Sequence, residues 1–565
     1  MVDLLRHRAA HQPHDCAYIF VPDRDGERSE LTFADLYAHA RSVALKLAQR
    51  GRRDDRAALL FPPGLNFIVA FFGCLLAGVV AVPMMVPRRD SSRDASVPIL
   101  ADCAARFAMT SREFIAGVRP DLVERIRGPD LEWLFVDPPF DDAAEADSPL
   151  PVFEPGDVAF LQYTSGSTAA PKGVVVSHGN LLENSEMIRI AFGNTRQSTH
   201  VSWVPLYHDM GLILNVLQTL YIGAMCVLLA PVTFMRRPLT WLRAIHDYRA
   251  EVAGAPNFAF DLCVSRHRAE EMQGIDLSCW KLAPIGAEPV RADTIEQFVA
   301  TFAPYGFNVK TPYPAYGMAE ATLLISGGKR GAGPVLRAVS RAALQHHRAV
   351  SPTEKDDDHL LVGCGRPLAG ERLAIVDPES RRRLAPCSIG EVWVAGPHVA
   401  QGYWQNPEAT KSVFKARVDG EGDESWLRTG DLGFLDEEDE LFITGRIKDL
   451  IIIRGINHYP QDIENTVQDC HPALRRHGGA AFTSLDHASR ERLIVVQEVE
   501  RGYRQQIAAH EIIGCIREAI TREHDIAAHK IELIRAGTLP QTTSGKIQRN
   551  LVRQLWLAGS LNVVQ

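Results

Sequence analysis

Residues 67–86 read FIVAFFGCLLAGVVAVPMMV and decide between two classes of fold. The stretch has 20 residues without a charge, which is long enough to cross a lipid bilayer as one helix. However, Gly78 separates a helix-like first half from a β-branched second half, and Pro83 follows. A buried helix that leads into a buried parallel strand has the same hydropathy. We therefore predict a helix and a strand of a globular core here, and no transmembrane segment.

The sequence on both sides of this stretch alternates short apolar runs with amphipathic helical patterns. Residues 32–50 predict a helix that Thr32 caps and Gly51 ends, with its apolar side chains on one face. Four apolar runs predict buried strands: AALLF (57–61), VAFLQY (158–163), MCVLLA (225–230) and KLAPIG (281–286). This alternation predicts an α/β fold of doubly wound sheets with helices on both faces.

The pattern changes twice towards the C-terminus. From about 366 to 445, short strands and turns predict a small β subdomain. After RIKD (446–449), a strand LIII, a helix from about 460, strands near 478–483 and 493–499, and a helix near 506–523 predict a compact α+β unit. We therefore predict an N-terminal domain, residues 1–447, and a C-terminal domain, residues 448–565. Residues 327–360 are rich in glycine and charge with little strand signal, and we interpret them as a partly mobile insertion.

Composition narrows the classes of function. The chain has 565 residues, of which 46% are hydrophobic and 23% charged, so we expect at least two globular domains. A net charge of −8 argues against a nucleic-acid-binding surface. The ten cysteines form no CxxC pair, which predicts free thiols in a reducing compartment. The first residues, MVDLLRHRAAHQPHD, carry charge too early for a secretory signal, so we expect a cytoplasmic protein.

The predicted strand VAFLQY leads into the turn YTSGSTAAPKG, residues 163–173, which is crowded with hydroxyls and glycines. It is not a Walker loop, because GxxxxGK[ST] requires Gly at 171 and Ser or Thr at 173, where this chain has Pro171 and Gly173. Its hydroxyls, flexible backbone and lysine could still hold a polyphosphate. The alternative is a Ser/Thr-rich surface turn. The candidate phosphate ligands are Thr164, Ser165, Gly166, Ser167, Thr168 and Lys172.

Two acidic motifs follow this turn along the chain. In AYGMAEAT (315–322), the aromatic ring could stack on a base, and Glu320 could hold a metal ion at phosphate oxygens. Glu320 could equally be an ordinary residue in the first turn of a helix. In WLRTGDLGF (426–434), Asp431 lies in a predicted tight turn and could accept hydrogen bonds from both hydroxyls of a ribose.

Two further motifs complete an ordered set of five. GRIKDLIIIRG (445–455) predicts a charged hinge before an apolar strand, and LPQTTSGKIQRN (540–550) places Lys546 on a loop of small residues. In this order the five motifs resemble those of the adenylate-forming superfamily, which contains acyl-CoA synthetases, peptide-synthetase adenylation domains and luciferases. The resemblance extends from about residue 30 to 555. It implies a large N-terminal domain of two doubly wound sheets with a small β-barrel-like subdomain, and a smaller α+β C-terminal lid domain.

The resemblance also implies a role for each matching residue. The turn at 163–173 would hold the β- and γ-phosphates of ATP and then the pyrophosphate, while Glu320 would ligate Mg²⁺. Lys546 would bridge the substrate carboxylate and the α-phosphate, His208 of SWVPLYHDMG would lie beside that carboxylate, and Lys448 would be the hinge. The residues implied at adenine and ribose are Gly286, Ala287 and Glu288 through their backbone, Tyr316 with the adjoining Gly317 and Met318, Asp431, and Arg446.

Three features resemble the fatty acyl-AMP ligase branch of the superfamily more than the acyl-CoA ligases. First, 43 residues separate Glu320 from Cys364, where the acyl-AMP ligases carry an extra motif thought to restrain the lid. Second, Met318 and Ala319 stand where a hydroxyl is common before the glutamate. Third, RGINHYPQDIE (454–464) resembles that branch's version of the lid motif.

The resemblance therefore implies a ligase that uses ATP to convert a medium- or long-chain fatty acid to an acyl-adenylate and pyrophosphate. The acyl group would then pass to the phosphopantetheine thiol of a separate acyl carrier protein or carrier domain. NFAFDLCVSR (257–266) is typical of an acyl-tunnel wall and equally of a helix core face. Two alternatives remain open: a two-step fatty acyl-CoA synthetase and, in another class, a catalytically silent nucleotide-binding regulator.

Overall fold

The computed structural model of the chain describes residues 1–23, 28–86, 96–117, 131–138, 140, 150–164, 171–354, 357–453, 456–485, 491–503, 509–542 and 545–564. Its strands are β1 Cys16–Val21, β2 Ser29–Thr32, β3 Arg56–Leu59, β4 Val80–Pro83, β5 Phe107–Thr110, β6 Glu132–Phe135, β7 Val158–Thr164, β8 Lys172–Ser177, β9 His200–Ser202, β10 Cys226–Leu229, β11 Ala283–Ile285, β12 Pro312–Gly317, β13 Leu324–Gly327, β14 Leu336–Ser340, β15 Asp358–Val362, β16 Arg366–Pro367, β17 Arg372–Val376, β18 Gly390–Ala395, β19 Leu427–Leu435, β20 Leu441–Arg446, β21 Ile451–Ile453, β22 Ile456–His458, β23 Leu474–Leu485, β24 Glu491–Val499 and β25 Ala528–Arg535.

The α-helices alternate with these strands through most of the chain. They are α1 Val2–His11, α2 Phe33–Ala48, α3 Leu65–Ala77, α4 Ser96–Cys103, α5 Arg112–Gly117, α6 His178–Phe192, α7 Asp209–Gly211, α8 Gln218–Ile222, α9 Pro231–Arg236, α10 Leu239–Asp247, α11 Asn257–Ser265, α12 Ala292–Phe302, α13 Arg341–Leu344, α14 Pro407–Phe414, α15 Pro460–Asp469, α16 Ala509–His524 and α17 Arg549–Leu557. A π-helical turn covers Leu212–Leu217, and 3₁₀ turns cover Ala303–Tyr305, Ala319–Ala321, Ile447–Asp449 and Arg501–Tyr503.

The uncharged stretch at 67–86 forms the predicted helix and strand. Helix α3 is buried along almost its whole length and ends at Gly78, whose φ of +71° is the left-handed C-cap that glycine favours. Strand β4 then lies inside a sheet with the order β6-β5-β3-β4-β7-β8, in which β3, β4, β5 and β6 run parallel. The apolar run therefore fills a core. In the parts of the chain that the structure describes, no helix is long and apolar enough to cross a membrane.

A second α/β layer follows the first. One sheet has the order β2-β1-β10-β9 and another the order β11-β12-β13-β16. Parallel bridges from Val252 to His200 and Leu282, and from Ala255 to Ile285, connect them into one surface. Buried aromatic side chains, among them Trp241 and Trp280, fill the space between this surface and its helices. The predicted α/β architecture of two wound sheets is confirmed.

The region from 366 to 445 contains an antiparallel sheet with the order β17-β18-β19-β20. The insertion at 327–360 packs on this sheet and differs from our prediction, because β14 and β15 pair as an antiparallel hairpin with α13 between them. The hairpin was missed because most of its side chains are at least partly exposed, so apolar alternation is weak. Val339 and Leu344 are nevertheless buried in a cluster with Phe434 and Tyr459.

The C-terminal region is built on a sheet with the order β23-β24-β25, in which β24 and β25 run parallel. Helices α15 and α16 pack on it around a core that includes Ile463, Ile516 and Val495. The sequence predicted β23, β24, α15 and α16, whereas β25 and α17 were not among the predicted elements. We retain the boundary at 447/448 as a proposal.

Candidate active site

The glycine- and hydroxyl-rich turn connects β7 to β8, which pair as an antiparallel hairpin. Thr164 is the last residue of β7 and lies opposite Lys172, the first residue of β8, so these two frame the turn. Of the other predicted phosphate ligands, Ser165, Gly166, Ser167 and Thr168 lie outside the described residues. The hairpin ends next to Tyr403, because Val174 bridges to Tyr403 in antiparallel fashion and the Trp404 N–H donates to the Gly173 carbonyl at 2.7 Å.

Tyr403 connects the lysine of the turn to the predicted metal ligand. The Lys172 ammonium lies 4.8 Å from the centroid of the Tyr403 ring, and the Tyr403 hydroxyl donates to Glu320 Oε1 at 2.8 Å. Glu320 is only 9% exposed and belongs to a 3₁₀ turn. Its backbone carbonyl accepts from the Ala400 N–H at 2.9 Å. Sequence reasoning missed Tyr403, which is 83 residues from Glu320 along the chain.

Burial and hydrogen bonding act in opposite directions on Glu320. Burial raises the pKa of its carboxyl above the ordinary value, while the hydrogen bond from Tyr403 and the charge of Arg446 lower it. The net shift is upwards, so this buried carboxylate would gain from an additional positive charge at its oxygens. Glu320 is therefore a buried carboxylate of a 3₁₀ turn that accepts a hydrogen bond from Tyr403.

The second acid of the predicted site, Asp431, binds two neighbours from different motifs. The Tyr316 hydroxyl donates to Asp431 Oδ2 at 2.8 Å, and Arg446 Nε donates to Oδ1 at 2.6 Å. Arg446 also lies opposite Asp431 in the pairing of β19 with β20. The prediction of a tight turn was wrong here, since Asp431 lies inside β19; the Gly430 before it, with φ of +72°, gave the turn-like signal. The structure thus brings Tyr316, Asp431 and Arg446 together.

The predicted adenine segment follows β11, the strand next to β12. A Cβ at Gly286 would lie 2.7 Å from the Ala315 carbonyl oxygen, so glycine permits the close approach of this segment to the strand that carries Tyr316. Ala287 has a φ of +69°, which is rare for a residue with a side chain and marks a constrained backbone. Gly317 ends β12, and Met318 continues it with extended backbone towards Glu320.

Lys546 reaches the large α/β region from a loop of the C-terminal region. Burial, together with a smaller effect of the Lys546 charge, lowers the pKa of His208 to about 4. The same ammonium opposes the burial effects that raise the pKa of Asp209 and of Glu288. His208 precedes α7, and Asp209 begins it. The lysine therefore lies near the predicted carboxylate-binding histidine, and Asp209 is a neighbour that the motif analysis did not single out.

The loop that carries Lys546 packs against an aromatic side chain of α11. A Cβ at Gly545, whose φ is +86°, would lie 2.8 Å from the Phe258 ring, so the two are in close contact. Phe258 also makes an edge-to-face contact with Trp203 at 5.8 Å between centroids. Phe260 of the same helix is buried in the core instead. Residues 257–266 therefore contribute both to the core and to the surroundings of Lys546.

The predicted hinge residue Lys448 is exposed in the 3₁₀ turn that follows β20. Its neighbour Asp449 accepts from Arg549 Nη1 at 3.0 Å. Arg549 Nε and Nη2 also donate to the two carboxylate oxygens of Glu464, at 2.7 and 2.6 Å. Two charged partners thus connect the segment after Lys448 to α15 and to the residues just beyond Lys546.

Comparison with known proteins shows which family the chain resembles. The profile of the AMP-binding enzyme family matches residues 5–404, and that of the Disco-interacting protein 2-like AMP domain matches residues 448–565. A medium-chain-fatty-acid–[acyl-carrier-protein] ligase of Moorena producens is 43% identical over 100% of this chain and 96% of its own length. A ligase of the same description from Teredinibacter turnerae is 36% identical over 96% of this chain and 91% of its own length.

Solved structures give the same result for the fold. A fatty acid AMP ligase from Legionella pneumophila superimposes with a TM-score of 0.77 at 37% identity, and covers 100% of this chain and 97% of its own. A fatty acyl-adenylate ligase from a study of the Escherichia coli and L. pneumophila enzymes gives a TM-score of 0.87 at 31% identity, over 99% and 97% of the two chains. Because a family profile covers most of its length and its relatives match it from end to end, this protein belongs to the AMP-binding enzyme family.

Proposed function

We propose that the protein uses ATP to convert a medium- or long-chain fatty acid to an acyl-adenylate with release of pyrophosphate, and then transfers the acyl group to the phosphopantetheine thiol of a separate carrier protein. The observation that carries this proposal is the position of Lys546. Its charge acts on His208 and Asp209, although it belongs to the C-terminal region and they belong to the large α/β region. A lysine in this position could neutralise both the carboxylate of the fatty acid and the α-phosphate of ATP when the two react.

The relatives favour this substrate class. The full-length relatives from M. producens and T. turnerae are named as ligases of medium-chain fatty acids and acyl carrier protein. A fatty acyl-adenylate ligase from L. pneumophila, 37% identical to this chain, is known in complex with acyl adenylate and pyrophosphate. We extend both properties to this protein because the likeness covers the whole chain.

In the proposed first step, a carboxylate oxygen of the fatty acid forms a bond to the α-phosphorus of ATP. The bond from that phosphorus to the bridging oxygen breaks, and pyrophosphate leaves with the electron pair. The two reactants repel each other in water because both are anionic. Lys546 would neutralise them and hold them in line. His208, whose pKa is about 4, is neutral near pH 7 and can donate a hydrogen bond to the fatty-acid carboxylate.

The nucleotide would be held by the residues that the structure brings together. Asp431 would accept hydrogen bonds from the ribose hydroxyls, and Arg446, whose Nε donates to Oδ1, would orient this carboxylate. The segment 286–288 and the Tyr316 ring would contact the adenine. Thr164 and Lys172 would hold the β- and γ-phosphates together with the hydroxyls of the turn.

Glu320 fits a role as protein ligand to a magnesium ion. Its carboxylate is buried, with a pKa raised by burial, so a nearby cation would stabilise its ionised form. Among the described residues, no group of three His, Cys, Asp or Glu side chains could hold a metal ion. This suits Mg²⁺, which is usually bound by one or two carboxylates together with substrate phosphates. When bound, it would neutralise charge on the phosphate oxygens.

Contacts between the insertion and the C-terminal region support a carrier protein rather than CoA as the acceptor. Arg341 of α13 pairs with Glu523 of α16 at 3.1 Å. Asn457 of β22 donates to the Gln345 carbonyl at 3.0 Å. His359 lies 3.6 Å from Asp462. These contacts would restrain the lid, as the resemblance to acyl-AMP ligases implies.

A product assay by mass spectrometry tests the proposal. The purified protein receives dodecanoic acid, ATP and Mg²⁺, with and without CoA, and in a third reaction a phosphopantetheinylated carrier protein. We expect acyl-AMP that persists in the presence of CoA and is consumed by the carrier protein. Conversion to acyl-CoA would identify a two-step synthetase instead. Absence of acyl-AMP in all three reactions, with ATP binding retained, would favour a nucleotide-binding regulator.

A further inference from the structure

One residue of the C-terminal region, His477, contacts an ion pair of the large α/β region. It lies in β23, where the pairing with β24 shifts register between Leu474 and Gly479. The φ of His477 is +57°, in the left-handed region that histidine occupies more often than most side chains do. Such a bulge redirects a side chain away from the sheet. The bulge is fixed by the Gln468 side chain, which accepts from the His477 N–H at 2.8 Å.

Each ring nitrogen of His477 contacts a charged residue, one from α11 and one that directly precedes α12. Its Nε2 lies 2.9 Å from Oδ2 of Asp261 on α11, and its Nδ1 lies 3.0 Å from Nη1 of Arg291, which precedes α12. Arg291 Nη2 donates to the same Asp261 oxygen at 2.5 Å and to Thr294 Oγ1 at 2.9 Å. The ring can donate from Nε2 to Asp261 and accept at Nδ1 from Arg291 Nη1, while Arg291 Nη2 also lies 2.9 Å from Nε2.

This three-residue contact, which we call the clasp (Asp261, Arg291 and His477), is partly shielded from solvent. The exposed fractions of the side chains are 19% for Asp261, 16% for Arg291 and 30% for His477. Charge-assisted hydrogen bonds in such surroundings are stronger than exposed ion pairs. The clasp therefore fixes this point of the C-terminal region against α11 and α12.

The backbone of His477 continues the contact to the loop of Lys546. The His477 carbonyl accepts from Gln541 Nε2 at 2.9 Å. Gln541 bridges to Ile547, so the two frame the loop that holds Lys546. Within the loop, the Thr542 N–H donates to the Lys546 carbonyl at 2.7 Å, and the Lys546 N–H donates to Thr542 Oγ1 at 3.0 Å. A path of hydrogen bonds thus leads from Asp261 to the backbone of Lys546.

We propose that His477 is a positioning residue for the adenylation step: docked on Asp261 and Arg291, it holds the Lys546 loop against the large α/β region. This inference rests on the proposed function. His477 does not touch the reactants; it acts through Gln541 and the loop at 541–547. Loss of the clasp should therefore lower the fraction of molecules in which Lys546 faces His208, and leave the binding sites for ATP and fatty acid intact.

The test compares His477→Ala and His477→Gln with wild type, and with His529→Ala as a matched control on the exposed face of β25. For His477→Ala we expect kcat of acyl-AMP formation to fall about ten- to a hundredfold, since misplacement of a catalytic group has costs of this order. The KM values for ATP and dodecanoic acid, and the rate of thioester formation from preformed acyl-AMP, should stay within about twofold. His477→Gln should recover most of the loss, because its amide can still donate to Asp261.

Amide hydrogen exchange over residues 541–547 tests the docking without reference to any activity. Exchange there should accelerate in His477→Ala and remain at the wild-type rate in His529→Ala. Unchanged exchange would overturn the inference, as would a kcat for His477→Ala within twofold of an active wild type. An equal fall of both half-reactions with a lowered Tm would mean a purely structural role and would also overturn it. A wild type that forms no acyl-AMP would contradict the proposed function, while the exchange result would still decide the docking.

Discussion

Lys546 and Lys530 are both exposed lysines of the C-terminal region, yet their surroundings differ. Lys530 lies on β25 and pairs with Glu532 at 3.4 Å on the surface. Lys546 instead acts electrostatically on a half-buried histidine and two half-buried acids of another region. An exposed ion pair contributes little to stability, whereas a preorganised charge at a reacting centre contributes much to rate. The two lysines therefore form a matched pair for mutagenesis.

Lys546→Ala should reduce acyl-AMP formation by about 10²–10³, the usual cost of removing one preorganised charge from a transition state. ATP affinity should change little, because the proposed nucleotide contacts lie in the large α/β region and in the sheet of β17–β20, outside the C-terminal region. Pre-steady-state product formation and ATP binding by calorimetry measure the two quantities. Lys530→Ala should match wild type in both. Equal activity of Lys546→Ala and Lys530→Ala would remove Lys546 from the mechanism.

Tyr403→Phe should move the acidic limb of the pH–rate profile to higher pH. The Tyr403 hydroxyl lowers the pKa of Glu320, so its loss raises that pKa and the carboxylate becomes protonated at a higher pH. A net hydrogen-bond energy of about 1 kcal/mol corresponds to a shift of up to about one pH unit. The profile of kcat/KM for ATP measures it, with Tyr248→Phe as control. A limb that stays in place would show that Glu320 ionisation does not limit the reaction.

At the scale of elements, the insertion packs between the antiparallel sheet of β17–β20 and the C-terminal region and contacts both. Its hairpin buries Val339 against Phe434, while Arg341 and Gln345 contact the other side. Deletion of residues 330–360 would remove buried core residues as well as these contacts. Point substitutions at the contacts are therefore the sharper probe of restraint.

Arg341→Ala combined with Asn457→Ala should loosen the lid and raise CoA-dependent product above the wild-type background. Both side chains make cross-region contacts, at 3.1 Å to Glu523 and 3.0 Å to the Gln345 carbonyl. The measurement is acyl-CoA formed per acyl-AMP formed, with Arg348→Ala, an exposed arginine of the same insertion, as control. Acyl-CoA at background level in the double variant, with acyl-AMP still made, would contradict the restraint.

The elements that the sequence predicted are those with strong local signals. Helix α2 has its cap at Thr32, and α3 and β4 meet at Gly78, so period, cap and breaker coincide. The hairpin of β14 and β15 lacked such signals because it is stabilised by cross-strand pairing and by packing on another sheet. At Asp431 the local signal was misleading, because Gly430 has a positive φ and predicts a turn although it lies inside β19.

At the scale of the whole molecule, buried neutral histidines should make the fold sensitive to acid. Burial lowers the pKa of His178 and of His200 to about 4, below the ordinary 6.5 of the unfolded chain. Between these values the unfolded state binds protons that the folded state does not. The free energy of unfolding therefore falls as pH drops from 6.5 towards 4, by about 1.4 kcal/mol per pH unit for each histidine.

Urea unfolding at pH 7 and pH 5 measures this dependence. His200→Gln keeps a polar side chain near Asn194, which lies 3.1 Å from the imidazole, but cannot titrate. We expect the variant to lose less free energy of unfolding than wild type over this interval, by roughly the contribution of one proton. Parallel losses in the two proteins would show that His200 is not neutral in the folded state.

Much of the candidate site was predictable because each motif carries its own chemistry. Asp431, Arg446, Tyr316 and Glu320 were all named from the sequence; the structure brings the first three into contact, while Glu320 contacts Tyr403. Tyr403 and His477 were not, because their partners are 83 and 186 residues away. Such residues have no local signature, since long-range packing alone gives them their role.

The two anchors of Arg549 have a mechanical consequence. They bind Asp449, which directly follows Lys448, and Glu464, while Arg549 itself follows Lys546 by three residues. We expect a backbone rotation at Lys448 to move Lys546 together with this segment, because the charged hydrogen bonds of Arg549 connect the two. Adenylation and acyl transfer would then require two different orientations of the C-terminal region. Lys546 could not act in adenylation while this region is oriented for acyl transfer.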